Sequence, residues 1–131
     1  MGRIPVLHLI TELDTGGAQK ALARLLARTN QERFRPTVAC LYNGDKAVAR
    51  EIRQLNVQVA DLGMASKWRW DALYRLYSLL RLVKPAVLHT WMFHASISGR
   101  VLGRLARVPV IVSSRRNVDI GGQGRDLVKR L

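Results

Sequence analysis

Two histidines and a pair of glycines are the residues of this chain best suited to chemistry. His89 and His94 bound the segment His89-Thr90-Trp91-Met92-Phe93-His94, which leads from an apolar stretch into a helical pattern. Imidazole titrates near neutral pH, so a histidine there can act as a base or as a hydrogen-bond partner. Gly16 and Gly17 stand between a strand pattern and a helical pattern, where backbone N–H groups and the helix dipole favour an anion.

A third group of polar residues is Arg115, Arg116 and Asn117. The forked guanidinium donors suit a phosphate or a carboxylate. Each group also has a purely structural interpretation. The arginines could be solvated surface residues, the histidines could position the backbone, and the glycines could only make a tight turn.

Alternating patterns along the chain predict the elements that position these residues. Short runs rich in Val, Ile and Leu are typical of buried parallel strands, and amphipathic patterns between them predict helices. The predicted strands are 4–10, 36–42, 57–62, 86–90 and 109–113, and the predicted helices are 18–31, 45–55, 70–84 and 94–107, with another opening near 123. This alternation predicts an α/β fold with a doubly wound, mostly parallel, Rossmann-like sheet.

The expected strand order, 3-2-1-4-5, makes the first and fourth strands neighbours whose connections diverge. Ligands bind such sheets in the crevice beyond the carboxyl ends of these strands. The Gly16-Gly17 turn, the segment from His89 to His94 and the segment Ser113–Asn117 all follow strand ends. We therefore expect the three segments to meet at one site.

The composition and net charge of the chain limit the classes of partner that it can bind. The chain has 131 residues and a net charge of +13, of which residues 66–131 supply most, with thirteen Lys or Arg against three Asp or Glu. Such a field favours nucleic acid, an acidic membrane surface or phosphorylated small molecules. No run of about 18 apolar residues would span a membrane, and no signal peptide is recognisable. We expect a cytoplasmic protein, in which the single Cys40 is a buried, inert thiol.

The predicted helix 70–84 has two different faces. At about 100° per residue, one face is aliphatic, and the other gathers aromatic and cationic side chains, namely Trp70, Tyr74, Tyr77, Arg81 and Lys84, with Trp68 just before the helix. Aromatic rings interleaved with cations suit the headgroup layer of an anionic membrane. A protein partner or single-stranded nucleic acid would also fit this face.

The motifs of several cofactor-binding sites are absent from the sequence. The glycine turn has neither the G-x-x-x-x-G-K-[ST] pattern of a P-loop nor the G-x-G-x-x-G pattern of a dinucleotide site. The second strand ends in Leu41-Tyr42-Asn43-Gly44, without the acidic residue that would hold a ribose. The sequence therefore predicts no nicotinamide cofactor, and it contains no metal-binding motif.

Three segments together resemble one enzyme family. The stretch from Leu7 to Gln19, the stretch from Pro85 to Ala95 with Gly99-Arg100, and the stretch from Val108 to Asn117 are similar to the family 4 (group 1) glycosyltransferases of GT-B fold. The similarity covers nearly the whole chain and keeps the order and spacing of the family. One departure is Trp91, because some members carry a histidine there, paired with the equivalent of His89.

The resemblance implies that residues 1–131 are the N-terminal, acceptor-side domain of a two-domain enzyme, ending within a helix. It implies a C-terminal donor domain beyond this sequence, so we expect the 131-residue chain alone to be inactive. The implied reaction is transfer of a sugar from a nucleotide-sugar, with retention, to a lipid-linked, polysaccharide or envelope glycan. The basic, aromatic helix 70–84 favours an acceptor at the inner face of the cytoplasmic membrane. Carried over, Gly16 and Gly17 would face the donor phosphates, and His94 or His89 would face the reacting sugar.

Two other functions remain open at this point. A stand-alone basic module could hold nucleic acid or phosphorylated ligands, although no helix-turn-helix, zinc-finger or RNA-recognition signature is present. A receiver-type domain would need clustered acidic residues at strand ends, and only Glu12 and Asp14 qualify.

Overall fold

The structure, a computed structural model, describes residues 2–64 and 70–114. Strands and helices alternate along these residues as the sequence predicts. In chain order the elements are β1 (Ile4–Glu12), α1 (Gly17–Ala27), β2 (Phe34–Tyr42), α2 (Ala47–Arg53), β3 (Gln58–Asp61), α3 (Trp70–Val83), β4 (Val87–Trp91), α4 (Phe93–Leu105) and β5 (Val110–Ser114). The helix predicted near residue 123 lies outside the described residues.

The five strands form one parallel sheet in the order β3-β2-β1-β4-β5. This is the order expected from the sequence, and it confirms the doubly wound α/β fold. β1 is central and pairs with β2 on one side and with β4 on the other. His8 is registered with His89 of β4, a cross-strand relationship on which the site depends.

The sheet is covered on both faces. On one face, α1 and α2 pack over Ile10, Val38 and Trp91. On the other face, α3 and α4 pack over Leu9 and Leu88. Burial on both faces explains why β1 is a nearly continuous apolar run, since neither set of alternating side chains meets water.

The observed ends differ from the predicted ones by a few residues. β2 begins at Phe34, two residues early, because Phe34 pairs with Ile4. α2 ends at Arg53, two residues early, because the amides of Leu55 and Asn56 bond only three residues back. The carboxyl ends of β1, β4 and β5, which carry the candidate residues, lie one or two residues beyond the predicted ends.

Candidate functional site

The carboxyl ends of β1 and β4 lie side by side at the point where the strand order reverses. The connection from β1 to α1 contains the glycine turn, and the connection from β4 to α4 contains Met92. The two connections leave in opposite directions because α1 and α4 cover opposite faces of the sheet. A crevice at this place is where open α/β sheets bind their ligands.

The two glycines of the turn have different surroundings. Gly16 has extended backbone, with φ of 179°, and a Cβ there would lie 2.4 Å from the side-chain oxygen of Gln19. Gly17 opens α1 and is exposed, and a Cβ there would meet no atom within 4 Å. A side chain at Gly16 would therefore have to displace the Gln19 amide, whereas the open side of the turn is at Gly17.

The first turn of α1 presents backbone donors. No side chain caps this end of α1 within the part of the chain that the structure describes, and its first turn carries no acidic residue. The first N–H groups of a helix have no intrahelical acceptor. They are available, together with the positive end of the helix dipole, to an anion approaching Gly17.

Gln19 joins the glycine turn to its neighbours, a role that no local pattern in the sequence indicates. Its side chain is 4% exposed, and its Nε2 donates to the Glu12 carboxylate and approaches Sδ of Met92 at 3.7 Å. Glu12 also accepts hydrogen bonds from the side chain of Asn43 at 3.3 Å and from the backbone N–H of Asp14 at 3.1 Å. One buried amide thus fixes the ends of β1 and β4 relative to each other.

Met92, in the connection from β4 to α4, has an unusual backbone conformation. Its φ is 74°, in the left-handed region that non-glycine residues seldom adopt. Such a residue persists only where its surroundings hold it. The contact from Gln19 and the hydrogen bond from the Ser96 N–H to the Met92 carbonyl, at 3.0 Å, are two such restraints.

His89 lies inside a cluster of rings and hydroxyls on the face that α1 and α2 cover. Its Nε2 is 2.6 Å from Oγ of Ser114, and its ring stacks on that of Trp91, with centroids 4.4 Å apart. Trp91 in turn donates its indole N–H to Nδ1 of His8 at 3.2 Å. The hydrogen bond between Trp91 and His8 depends on the register of β1 and β4, whereas the stacked rings of His89 and Trp91 lie two residues apart on β4.

Burial governs the protonation of the two strand histidines. Burial and, secondarily, the neighbouring imidazole of His89 lower the pKa of His8 from 6.5 to about 3. Burial also lowers the pKa of His89 from its usual value. Both rings are therefore neutral at physiological pH, and His8, which is 4% exposed, is packed within the fold.

His94 occupies a different position from His89. It is the second residue of α4, at the carboxyl edge of the sheet, and its ring lies edge-on to that of Phe93 with centroids 5.5 Å apart. α4 covers the sheet face opposite to the one that carries His89 and Trp91. The structure thus places the two candidate histidines on different sides of β4.

Of the third predicted segment, Ser113–Asn117, the structure describes only the first two residues. Ser113 and Ser114 end β5 beside β4, and Oγ of Ser113 is 2.7 Å from the hydroxyl of Thr90. Arg115, Arg116 and Asn117, the candidate anion clamp, lie outside the described residues. The described portion confirms that the ends of β1, β4 and β5 adjoin.

The aromatic face predicted for α3 is largely exposed. Trp70 is 82% and Tyr74 71% exposed, and Arg81 and Lys84 also face solvent, whereas Tyr77 is half-buried. Trp68 lies outside the described residues. The geometry of this face agrees with the sequence pattern.

The described residues were compared with the requirements of a metal site, a membrane span and a reactive thiol. Among residues 2–64 and 70–114, no three His, Cys, Asp or Glu side chains are grouped as metal ligands would be. None of the described helices has the length and apolar character needed to cross a bilayer. Cys40 is fully buried, and burial, with a smaller effect from the Asp61 carboxylate, raises the pKa of its thiol to about 12.

The arrangement can bind an anion and offer an imidazole at one edge of the sheet. Backbone donors lie near Gly17, and His94 lies in the first turn of α4, just after the adjoining connection. No protein-family model matches the sequence, and no curated protein matches it at a significant level.

Proposed function

We propose that this domain is the acceptor side of a glycosyltransferase that moves a sugar from a nucleotide-sugar to a lipid-linked or envelope glycan. The observation that carries the proposal is the link through Gln19 between the glycine turn and the connection containing Met92. It ties a turn with exposed backbone donors to the connection that precedes the half-buried His94. Phosphate binding beside a general base or hydrogen-bond partner is what transfer from a nucleotide-sugar requires.

The proposed roles follow from position. The diphosphate of the donor approaches the first turn of α1 on the open side of Gly17. His94 faces the reacting sugar or the acceptor, because it lies at the same sheet edge as Gly17. His89 is the weaker candidate, since its Nε2 is already engaged by Ser114 at 2.6 Å.

The nucleotide in this proposal is held mainly by a second, C-terminal domain, as the family resemblance implies. Transfer proceeds with retention at the sugar carbon. The chemistry assigned to the residues of this chain requires no metal. The outward face of α3, with Trp70, Tyr74, Arg81 and Lys84, contacts an anionic membrane that holds the acceptor.

The first test is the intact mass of the gene product in its own cells. We expect about two to three times the 14.8 kDa of this chain, as a second domain of similar or larger size would give. A mass near 14.8 kDa would contradict the two-domain part of the proposal. Binding of phosphorylated ligands would then be the function to measure.

The second test is turnover by the longer product. UDP-sugars and GDP-sugars are assayed with lipid-linked acceptors, and the 131-residue chain is assayed in parallel and should show none. His94→Gln should lower kcat by about a hundredfold, whereas the exposed Gln54→Ala should leave it unchanged. Turnover by the short chain, or unchanged kcat in His94→Gln, would contradict the assignment.

The charge of the second half favours one alternative, a module that binds nucleic acid. Between residues 70 and 114 the chain carries six Lys or Arg against the single acidic residue Asp71. Affinity for nucleic acid should then fall steeply and linearly with the logarithm of salt concentration. Weak binding without that slope favours the glycosyltransferase.

A further inference from the structure

The outward side of α4 carries an apolar stripe. Phe93, Ile97, Val101 and Leu105 recur every fourth residue and are 55%, 37%, 56% and 62% exposed. The opposite side of α4 packs on the sheet so closely that a Cβ at Gly99 would lie 2.4 Å from Thr90. α4 is therefore apolar on both sides, although only one of them meets the core.

Cations share the arc of this stripe. With 3.6 residues per turn, Arg104 projects between Phe93 and Ile97 when the helix is viewed along its axis, and Arg100 projects about 20° to the other side of Phe93. Both arginines are exposed. α4 itself contains no acidic residue. Aliphatic side chains flanked by arginines are typical of a helix that lies in the headgroup region of a membrane.

The stripe extends the exposed face of α3. α3 and α4 cover the same face of the sheet and pack against each other. Both return from a parallel strand to the next one, so both begin at the carboxyl edge of the sheet. The exposed rings of Trp70, Tyr74 and Phe93 therefore all lie toward the edge that carries the candidate site.

Charge favours an anionic occupant for this surface. Residues 115–131 carry five Lys or Arg against two Asp or Glu, and a second copy of the chain carries +13, so Arg100 and Arg104 would repel either one. Nucleic acid binds by stacking its bases on aromatic rings, and it gives no apolar environment to Val101 or Leu105. An anionic bilayer satisfies both the arginines and the aliphatic side chains.

We propose that the outward side of α4, from Phe93 to Leu105, docks on an anionic lipid bilayer together with the exposed face of α3. The proposal rests on the proposed function in one respect, the lipid-linked acceptor. The aromatic end of the surface adjoins the site, so an acceptor anchored in the bilayer reaches His94 without leaving the membrane. The docking itself requires no sugar transfer.

The test is binding of the 131-residue chain to vesicles, measured by co-sedimentation. Vesicles of phosphatidylglycerol with phosphatidylcholine are compared with phosphatidylcholine alone. Val101→Gln/Leu105→Gln should weaken binding to the anionic vesicles about tenfold or more. The control is Leu25→Gln, at a residue 42% exposed on α1, on the other face of the sheet, and it should bind like the parent chain.

A second pair of variants tests the arginines. Arg100→Gln/Arg104→Gln should weaken binding to anionic vesicles by about tenfold or more and flatten its dependence on salt. Arg24→Gln/Arg50→Gln removes the same charge from the exposed surfaces of α1 and α2 and should have a much smaller effect. Equal effects of the two pairs would show attraction by net charge alone and would overturn the docking face.

A spectroscopic probe locates the contact directly. Val101→Cys can be labelled selectively with an environment-sensitive fluorophore, because Cys40 is buried and its thiol pKa is about 12. Its emission should shift to the blue on anionic vesicles. If it does not shift while Tyr74→Gln abolishes binding, α4 does not dock and α3 alone contacts the membrane. Turnover of a water-soluble acceptor by the longer product tests the proposed sugar transfer separately.

Discussion

The indole N–H of Trp91 donates a hydrogen bond to Nδ1 of His8 across 3.2 Å. The two residues are 83 positions apart in the chain and lie on adjacent strands. Because Nδ1 is the acceptor, the proton of the neutral His8 ring is on Nε2. The ring of His89 stacks on the same indole, so Trp91 supports both strand histidines.

We expect Trp91→Phe to destabilise the domain. The buried Nδ1 of His8 would lose its donor, which costs about 1–3 kcal/mol, in addition to the loss of packing volume. Urea unfolding should show the change, whereas Trp70→Phe, at a residue 82% exposed, should alter the free energy of unfolding by less than about 0.5 kcal/mol.

A double variant separates the hydrogen bond from packing. In His8→Leu/Trp91→Phe no polar atom is left without a partner. Its free energy of unfolding should therefore exceed the value expected from adding the two single changes. Strict additivity would show that the hydrogen bond does not couple the residues.

The neutral state of His8 should make stability depend on pH. The folded pKa is about 3 and the unfolded value is 6.5, so below pH 6.5 the unfolded chain binds a proton that the folded chain does not. The contribution of His8 to the free energy of unfolding should thus be fully present above pH 6.5. It should fall by about 1.4 kcal/mol per pH unit as the pH decreases from 6.5 toward 3.

His8→Gln provides the comparison for this prediction. Its cavity and packing costs do not depend on pH, so the difference between the two urea denaturation series isolates the titration of His8. Between about pH 6 and about pH 5, the free energy of unfolding should change less steeply with pH in the variant than in the parent chain. Identical slopes would mean that His8 binds a proton as readily in the folded chain as in the unfolded chain, so that its pKa is not lowered by the fold.

The glycines of the turn should respond differently to alanine. Gly16→Ala displaces Gln19 from Glu12 and Met92 and should cost about 1–2 kcal/mol. Gly17→Ala adds a methyl group to open space and should leave stability within about 0.5 kcal/mol of the parent. In the longer product, Gly17→Ala should instead raise KM for the nucleotide-sugar, because its methyl group obstructs the phosphate.

The cause of the Gly16 effect can be tested with Gln19→Ala. Once the amide is gone, a Cβ at residue 16 has no close neighbour to displace. Gly16→Ala/Gln19→Ala should then be no less stable than Gln19→Ala alone. If the two costs add, the glycine is required by something other than the packing of Gln19.

The fold could be predicted because its determinants are local. The apolar run containing Leu7 and Leu9 and the helical pattern containing Leu22 and Leu26 each identify an element, and right-handed connections restrict the strand order. The exposed face of α3 followed in the same way from helical periodicity. Each inference required only neighbours in the sequence.

The sequence predicts the location of the site in the fold but not the contacts between its side chains. Which side chains meet there depends on register and on the face to which each residue points, and a shift of one residue reverses that face. The hydrogen bond between Trp91 and His8 and the separation of His89 from His94 are of this kind. Gln19 escaped notice because a glutamine in an amphipathic helix gives no local signal of a buried role.

The packing of α4 on β4 positions His94. A Cβ at Gly99 would lie 2.4 Å from Cγ2 of Thr90 and 3.1 Å from Cδ2 of Leu9. Gly99→Ala should therefore displace α4 from the sheet and cost about 1–3 kcal/mol, measured by urea unfolding. Thr90→Ser removes the obstructing methyl group but keeps the hydroxyl that bonds to Ser113 and Ser96, so Gly99→Ala/Thr90→Ser should recover part of the loss. Failure of the serine to recover any stability would show that α4 is held away from the sheet by contacts other than that of Gly99 with Thr90.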